Sequence, residues 1–285
     1  MLPRMIDAHH HFWDPATVEI PWLGPDSGPL LRSFWPADLL PERVAACVRR
    51  TVLVQSANSD EDTDFMLSLA AMDSSIGAVV AWLDLLDPRR AADRLDVLEA
   101  SGVVRGIRHL VHDEADPHWI LQPAVLESLA LVEDRRLLLE LPAVFPRHLG
   151  DVPVLAERFP RLRIVIDHLG KPPLDGDLAP WRTAFAAAAR YPNVYAKLSG
   201  LNTATRCTDW TAETFRPAFE AALELLGSGR LLAGSDWPVL VLNGDYGRVW
   251  QATLELLAGL APPDRDAILR GNAIDLYRIE EHAWR

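Results

Sequence analysis

Apolar residues gather in short aliphatic or β-branched runs at 5–8, 51–55, 77–83, 103–107, 137–141, 162–166, 193–196 and 230–233. The later runs follow turn residues or charged helix ends such as Ser101-Gly102, Pro160-Arg161, Pro192-Asn193 and Gly227-Ser228-Gly229. Between them lie amphipathic stretches at 37–50, 60–73, 88–99, 122–134, 147–158, 179–190 and 211–226, with 247–260 after the last run. Asp60 is placed to cap its helix, Pro88 falls in a first turn after Asp87, and Pro263 opens a short final helix near 264–269. Strands apolar on both faces and separated by helices indicate a parallel sheet covered by helices. Eight such repeats predict one α/β domain over 1–285, a single (β/α)8 TIM barrel. An open doubly wound sheet is the alternative, disfavoured because no glycine fingerprint follows the first strand.

In a barrel the chemistry collects at the carboxyl ends of the strands. Those ends carry His9 and His11, Gln55 and Asn58, Asp84, Arg108 and His109, Glu140, Asp167 and His168, Lys197 and Ser199, and Asp236. One residue separates His9 from His11, so on an extended backbone both project from one face while His10 points away. Two imidazoles so placed can share a metal or a substrate; alone, such a pair is more often two surface histidines, and its place on the first strand of a barrel shifts the balance toward ligands. Asp167 reads best as a cap of the next segment. His168, just past a buried strand, points toward the barrel mouth and titrates near neutrality, which favours a functional role. Asp236 can take a proton from water or bind a metal, and the Trp237-Pro238 that follows argues against a plain helix cap. Arg108 and Lys197 either bind a polar substrate oxygen or form salt bridges beneath the site. Trp22, Trp35 and Trp119 either line the pocket or pack in the core.

Composition narrows the partners. The 285 residues are 49% hydrophobic, enough for a large core without staples. A formal charge of −12 with no Lys/Arg stripe excludes a nucleic-acid surface. The two cysteines, Cys47 and Cys207, lack metal-binding spacing and suit a reducing compartment. No apolar leader follows Met1 and no run approaches the roughly 20 apolar residues of a membrane span, so the expectation is a soluble, cytoplasmic protein.

The joint order of Ile6-Asp7-Ala8-His9-His10-His11-Phe12-Trp13-Asp14, Val52-Leu53-Val54-Gln55-Ser56, Arg105-Gly106-Ile107-Arg108-His109, Phe145-Pro146-Arg147-His148-Leu149, Val165-Ile166-Asp167-His168-Leu169-Gly170-Lys171-Pro172 and Gly234-Ser235-Asp236-Trp237-Pro238 resembles the amidohydrolase superfamily. Within it, the chain is similar to amidohydrolase-2 type sugar-lactone hydrolases related to fuconolactonases and rhamnonolactonases. The resemblance covers nearly the whole chain and is far more specific for the family than for the substrate. It implies a central cluster of His9, His11, His168 and Asp236, with Asp236 as general base toward water. By position it implies substrate contacts from Trp13, Arg108, Lys171 and Trp237. Arg147 and His148 look like landmarks that are as readily structural.

Two-metal members of the superfamily bridge their ions with a carboxylated lysine after strand four and use a histidine after strand five. Here those places hold Arg108-His109 and Glu140. The resemblance therefore implies at most one divalent ion, held by His9, His11, Glu140 and Asp236, a nitrogen and oxygen set that suits zinc or manganese. Metal-independent lactonases of the superfamily are the alternative.

Lactone opening needs a polarised carbonyl, an activated water and a proton for the ring alkoxide. A metal, or Arg108 and Lys197, would polarise the carbonyl; Asp236 would take the water proton; His168 or the returned proton would serve the leaving oxygen. Ser199 and Ser235 lack a nucleophile-elbow context. Gln55, Asn58, Arg108 and Lys197 suit hydroxyls and a carbonyl, and Trp13 and Trp237 suit the apolar face of a sugar ring. The expected partner is thus a small sugar lactone; the sequence leaves self-association into a homo-oligomer open. Rival readings are an aromatic dicarboxylate lactonase or metal-dependent decarboxylase of the same superfamily, and a sugar-acid-binding barrel without turnover.

Overall fold

Each apolar run becomes a strand because a segment buried on both faces can satisfy its backbone only by pairing with like neighbours. The structure is a computed structural model and describes residues 4–280. Its strands are β1 Met5–His10, β2 Val48–Val54, β3 Ile76–Ala81, β4 Val104–Arg108, β5 Leu138–Leu141, β6 Ile164–Ile166, β7 Val194–Leu198 and β8 Leu231–Ala233. They form one eight-stranded sheet in sequence order, and β1 through β8 pair in parallel throughout. The ring is drawn shut past the end of β8, where Asp236 N donates to His9 O at 2.8 Å and His11 N to Trp237 O at 2.7 Å. The result is the (β/α)8 barrel.

The connecting helices are α1 Pro36–Ala45, α2 Asp60–Met72, α3 Pro88–Ala100, α4 Pro123–Asp134, α5 Val152–Arg158, α6 Ala179–Ala189, α7 Ala212–Leu226 and α8 Tyr246–Leu257. Pro88 opens the first turn of α3 as expected, and Asp87 caps it, accepting from Arg89 N and Arg90 N. In α2 the cap is Ser59, one residue earlier than expected, and Asp60 is the first helical residue. The stretch read as a helix over 37–50 ends at Ala45: Cys47 takes φ 61°, and Val48, Arg49 and Arg50 belong to β2. A left-handed residue thus reverses the chain before the Arg49-Arg50 pair. No helix among the described residues is long and apolar enough to cross a membrane.

The outward faces of the strands pack against the helices, while Ile6, Ala8, Val52, Val54, Ala78, Val80, Leu138, Val165 and Leu232 fill the interior. After α9 Pro262–Asp266, the short α10 Asn272–Tyr277 adds Ala273, Leu276, Tyr277 and Ile279 to that inner cluster. Ile279 lies against Gly77 at the start of β3, and Arg105 Nε at the start of β4 donates to Tyr277 O at 3.1 Å, so this segment closes the amino end of the barrel. The carboxyl end remains for chemistry.

Candidate active site

Strict alternation from Ile6 and Ala8 would aim His10 at the interior. The register shifts between Asp7 and His10, and it is His9 and His11 that turn inward. His10 lies instead against the Phe12 ring, 4.7 Å between centroids, and burial lowers its pKa to about 3. The turns after β6 and β8 hold His168, Leu169, Lys171 and Asp236 at φ of 53°, 52°, 51° and 64°. Such left-handed non-glycine residues cost on the order of 1 kcal/mol or more each and persist only where neighbours over-determine them. Asp7 supplies part of that restraint, accepting from Ser235 N at 2.8 Å, Ser235 Oγ at 2.6 Å, His9 N at 3.2 Å and Tyr246 OH at 3.0 Å. Two glycines permit the close approach: a Cβ on Gly234 would lie 2.9 Å from His9 N, and one on Gly200 only 2.6 Å from His168 Nδ1 and 2.8 Å from Asp236 Oδ2.

Four side chains converge on one point. His9 Nε2 is 3.2 Å from His11 Nε2, and Asp236 Oδ1 lies 3.6 Å from His9 Nε2, 3.4 Å from His11 Nε2 and 3.8 Å from His168 Nε2. Because His11 Nδ1 faces the carbonyl of Val54 at 2.8 Å, that nitrogen carries the hydrogen and Nε2 presents a lone pair. His168 Nδ1 is held by Ser199 Oγ at 2.8 Å. Burial would raise the Asp236 carboxyl, but His168, His11 and His9 outweigh it and hold it well below the usual carboxylate range. Burial lowers His168 to about 4, so at neutral pH its imidazole is uncharged.

Beneath this cluster a second network grips the other side of the His9 ring. Lys197 Nζ is 3.1 Å from His9 Nδ1, 2.5 Å from Glu140 Oε2 and 3.7 Å from Asp167 Oδ1, and Tyr277 OH donates to Glu140 Oε1. Asp167 Oδ1 is 3.3 Å from His9 Nδ1, and its Oδ2 accepts from Arg108 Nε at 2.8 Å. All of these carboxylates and Lys197 are buried. Burial would raise Asp167, but His9, Arg108 and Lys197 hold it well below its ordinary range; for Glu140 burial prevails and pushes it up.

Above the cluster opens a cavity of about 540 Å³ lined by His11, Trp22, Gln55, Ser56, Arg108, Leu110, His112, His168, Lys171, Asp236 and Val239. It joins the converging groups to hydrogen-bonding side chains and one large apolar ring, a mixture suited to a small polar ligand.

The model of the amidohydrolase family matches residues 6–279. The chain belongs to the amidohydrolase family. This amidohydrolase is 38% identical to an L-fucono-1,5-lactonase of Burkholderia ambifaria, over 96% of each chain. It is 35% identical to an L-fucono-1,5-lactonase of Burkholderia multivorans, over 98% of this chain and 97% of the relative. A crystal structure of an amidohydrolase from Burkholderia multivorans with bound zinc superposes with a TM-score of 0.89 at 33% identity, over 98% of this chain and all of that one.

The upper cluster of the amidohydrolase fits a metal ion. His9, His168 and Asp236 offer donor atoms within 4.8 Å of one another, and His11 Nε2 adjoins two of them. Separations of 3.2 to 3.6 Å among His9 Nε2, His11 Nε2 and Asp236 Oδ1 match the edge of about 3.3 Å that tetrahedral zinc–nitrogen bonds imply, and His168 Nε2 stands 3.8 Å from Asp236 Oδ1. His9, Glu140 and Asp167 form a second group by distance, but the Lys197 ammonium already supplies its positive charge.

Several sequence expectations change here. Glu140 faces the Nδ1 side of His9, at 3.9 Å, and is bound by Lys197 and Tyr277, so it stands apart from the Nε2 cluster, in which His168 is the fourth side chain. Lys197 is fully buried in a salt bridge beneath the site, the second of its two readings, and does not reach the cavity. Trp13 is fully buried, donates from Nε1 to Arg32 O at 2.9 Å and packs edge-on against Trp22 and Phe34. Trp237 packs against Phe12 and Phe34. Neither lines the cavity; Trp22 does. Asn58 also stands behind the wall, contacting Leu110 N and Gln55. Gln55, Arg108, Lys171, His168 and Asp236 reach the cavity. Trp119 stacks on His109 at 3.9 Å, and Trp35 packs on Phe65. Arg147 donates to Glu114 O and Ala115 O, a structural role. Sequence reasoning missed His112, Ser56, Leu110, Val239 and the cradle at Gly200; only Gly200, beside a polar strand end, carried any local signal.

Proposed function

We propose that this amidohydrolase hydrolyses a sugar lactone of the L-fucono-1,5-lactone kind. The observation that carries the reading is the convergence of His9, His11, His168 and Asp236 on the floor of a polar cavity, in a chain 35% to 38% identical to L-fucono-1,5-lactonases over nearly its whole length. Asp236, ionised at neutral pH, takes a proton from water as the oxygen adds to the carbonyl carbon. The ring C–O bond then breaks, and the proton returns from Asp236 to the departing alkoxide, leaving a hydroxy acid. Arg108 and Lys171 on the cavity wall balance the negative charge that develops on the carbonyl oxygen. His168, neutral and fixed by Ser199, orients the carboxylate.

His9, His11, His168 and Asp236 are the residues that would hold one divalent ion, zinc or manganese by donor type. When bound, such an ion supplies Lewis acidity toward a carbonyl and acidifies water. Elemental analysis of the purified protein is expected to find no more than one tightly held divalent ion per chain, because Lys197 fills the lower group. Two ions per active chain would overturn this ligand assignment, and undiminished activity after exhaustive chelation to zero metal would overturn the need for an ion.

The substrate class is tested with a pH indicator and a panel of six- and five-carbon aldonolactones, valerolactone, butyrolactone and an aromatic dicarboxylate lactone. Polar groups that lose their partner penalise a substrate lacking hydroxyls, so kcat/KM for the plain lactones is expected to be lower by roughly 10²-fold. A plain lactone that wins removes the proposed polar contacts. If the dicarboxylate wins, Arg108 and Lys171 read a carboxylate and the sugar assignment is wrong.

A further inference from the structure

One amide in the cavity wall has its orientation dictated by two fixed acceptors. Leu110 N can only donate, and it lies 2.9 Å from Asn58 Oδ1, which fixes the oxygen end of Asn58. That oxygen and the carbonyl of Arg108 each stand 3.3 Å from Gln55 Nε2. Both are acceptors, so the Gln55 amide cannot be turned over without setting oxygen against oxygen twice. Its main chain is equally fixed: Gln55 N donates to Val80 O at 2.9 Å, and Gln55 O accepts from Arg108 Nη1 at 3.0 Å. What remains is Oε1. It is buried, has no partner among the described residues, and belongs to a side chain that lines the same cavity as Asp236 and His168.

Buried amide oxygens are nearly always satisfied. A carbonyl oxygen left over in a ligand cavity, on an amide locked by its other end, is an acceptor waiting for a donor. We infer that Gln55 Oε1 accepts a hydrogen bond from one hydroxyl of the sugar lactone and is the specificity-determining atom for that hydroxyl. Asn58 is its positioning residue: it touches no ligand and keeps the amide from rotating. The inference rests on the lactonase reading and adds a direction to it, since the substrate must donate at this point. A ring or carbonyl oxygen does not serve.

The test measures kcat/KM of the full chain on a six-carbon aldonolactone that it opens, and on that lactone's monodeoxy and monodeoxyfluoro analogues. Fluorine keeps the size and polarity of a hydroxyl but donates nothing. At one ring position both replacements are expected to lower kcat/KM by about 10- to 100-fold in the parent enzyme. In Gln55→Leu that penalty should shrink to within about twofold, the parent lactone falling to the level of its analogues. Asn58→Leu should relax the same position, while Asn58→Asp, which keeps both accepting contacts, should preserve discrimination. The parent series needs no variant to fold. If no position costs the parent enzyme more than about twofold, if fluorine restores full activity, or if Gln55→Leu discriminates as before, the assignment is overturned. An enzyme that opens none of the lactones overturns the lactonase reading and this assignment with it; lactone opening without position-specific coupling overturns the assignment alone.

Discussion

Asp236→Asn is expected to fold as the parent does and to lose turnover by about 10²- to 10⁴-fold, the range attributed to a positioned general base. The amide retains the shape and the backbone bond from Asp236 N to His9 O that helps close the barrel. It loses the negative charge that faces three imidazoles from 3.4 to 3.8 Å, and it cannot accept a proton from water. Circular dichroism and a thermal midpoint establish the fold, and initial rates on an aldonolactone establish the effect. Near-parental rates would remove Asp236 from the mechanism.

The second large effect concerns stability. Lys197→Met keeps the length of the side chain and removes the only cation within 2.5 Å of Glu140 among the described residues, leaving Glu140 and Asp167 facing each other across a fully buried space. Breaking a buried pair from one side typically costs about 3–5 kcal/mol, because the surviving charge keeps its desolvation penalty without its partner. A urea titration should show that loss as a lower midpoint at unchanged slope. Adding Glu140→Gln to the same chain should restore part of it, since the remaining amide is cheaper to bury than a carboxylate. A single variant as stable as the parent would mean that the network is not held together by charge.

The barrel was legible in the sequence because buried parallel strands spell themselves as unbroken apolar runs, and those runs are short enough to be told from the amphipathic stretches between them. His9, His11, His168 and Asp236 were legible because each interrupts such a run at its carboxyl end. The lower network was not. Whether Lys197 reaches upward to a ligand or sideways to Glu140 depends on how β5 and β7 sit across the barrel, and on Tyr277, which lies 137 residues from Glu140 in the chain. Trp13 and Trp237 misled for a related reason. An aromatic residue just beyond a strand has the right composition for a binding wall, but its direction is set by the loop carrying Trp22 and Phe34. Asn58 shows the same limit at short range: its partners are the main chain of Leu110 and the side chains of Gln55 and His109, and only their juxtaposition makes it a brace.

In barrels of this kind the catalytic face and the stabilising face are usually independent, which lets loops diverge while the scaffold stays the same. Here the Tyr277 hydroxyl at the foot of the barrel is joined through Glu140 and Lys197 to the ring of His9. Engineering at α10, by fusion, permutation or immobilisation, would therefore act on the same hydrogen-bonded rod that aims the His9 imidazole. Attachment points for such work belong on the outer helices, where α3 and α6 carry no member of this rod.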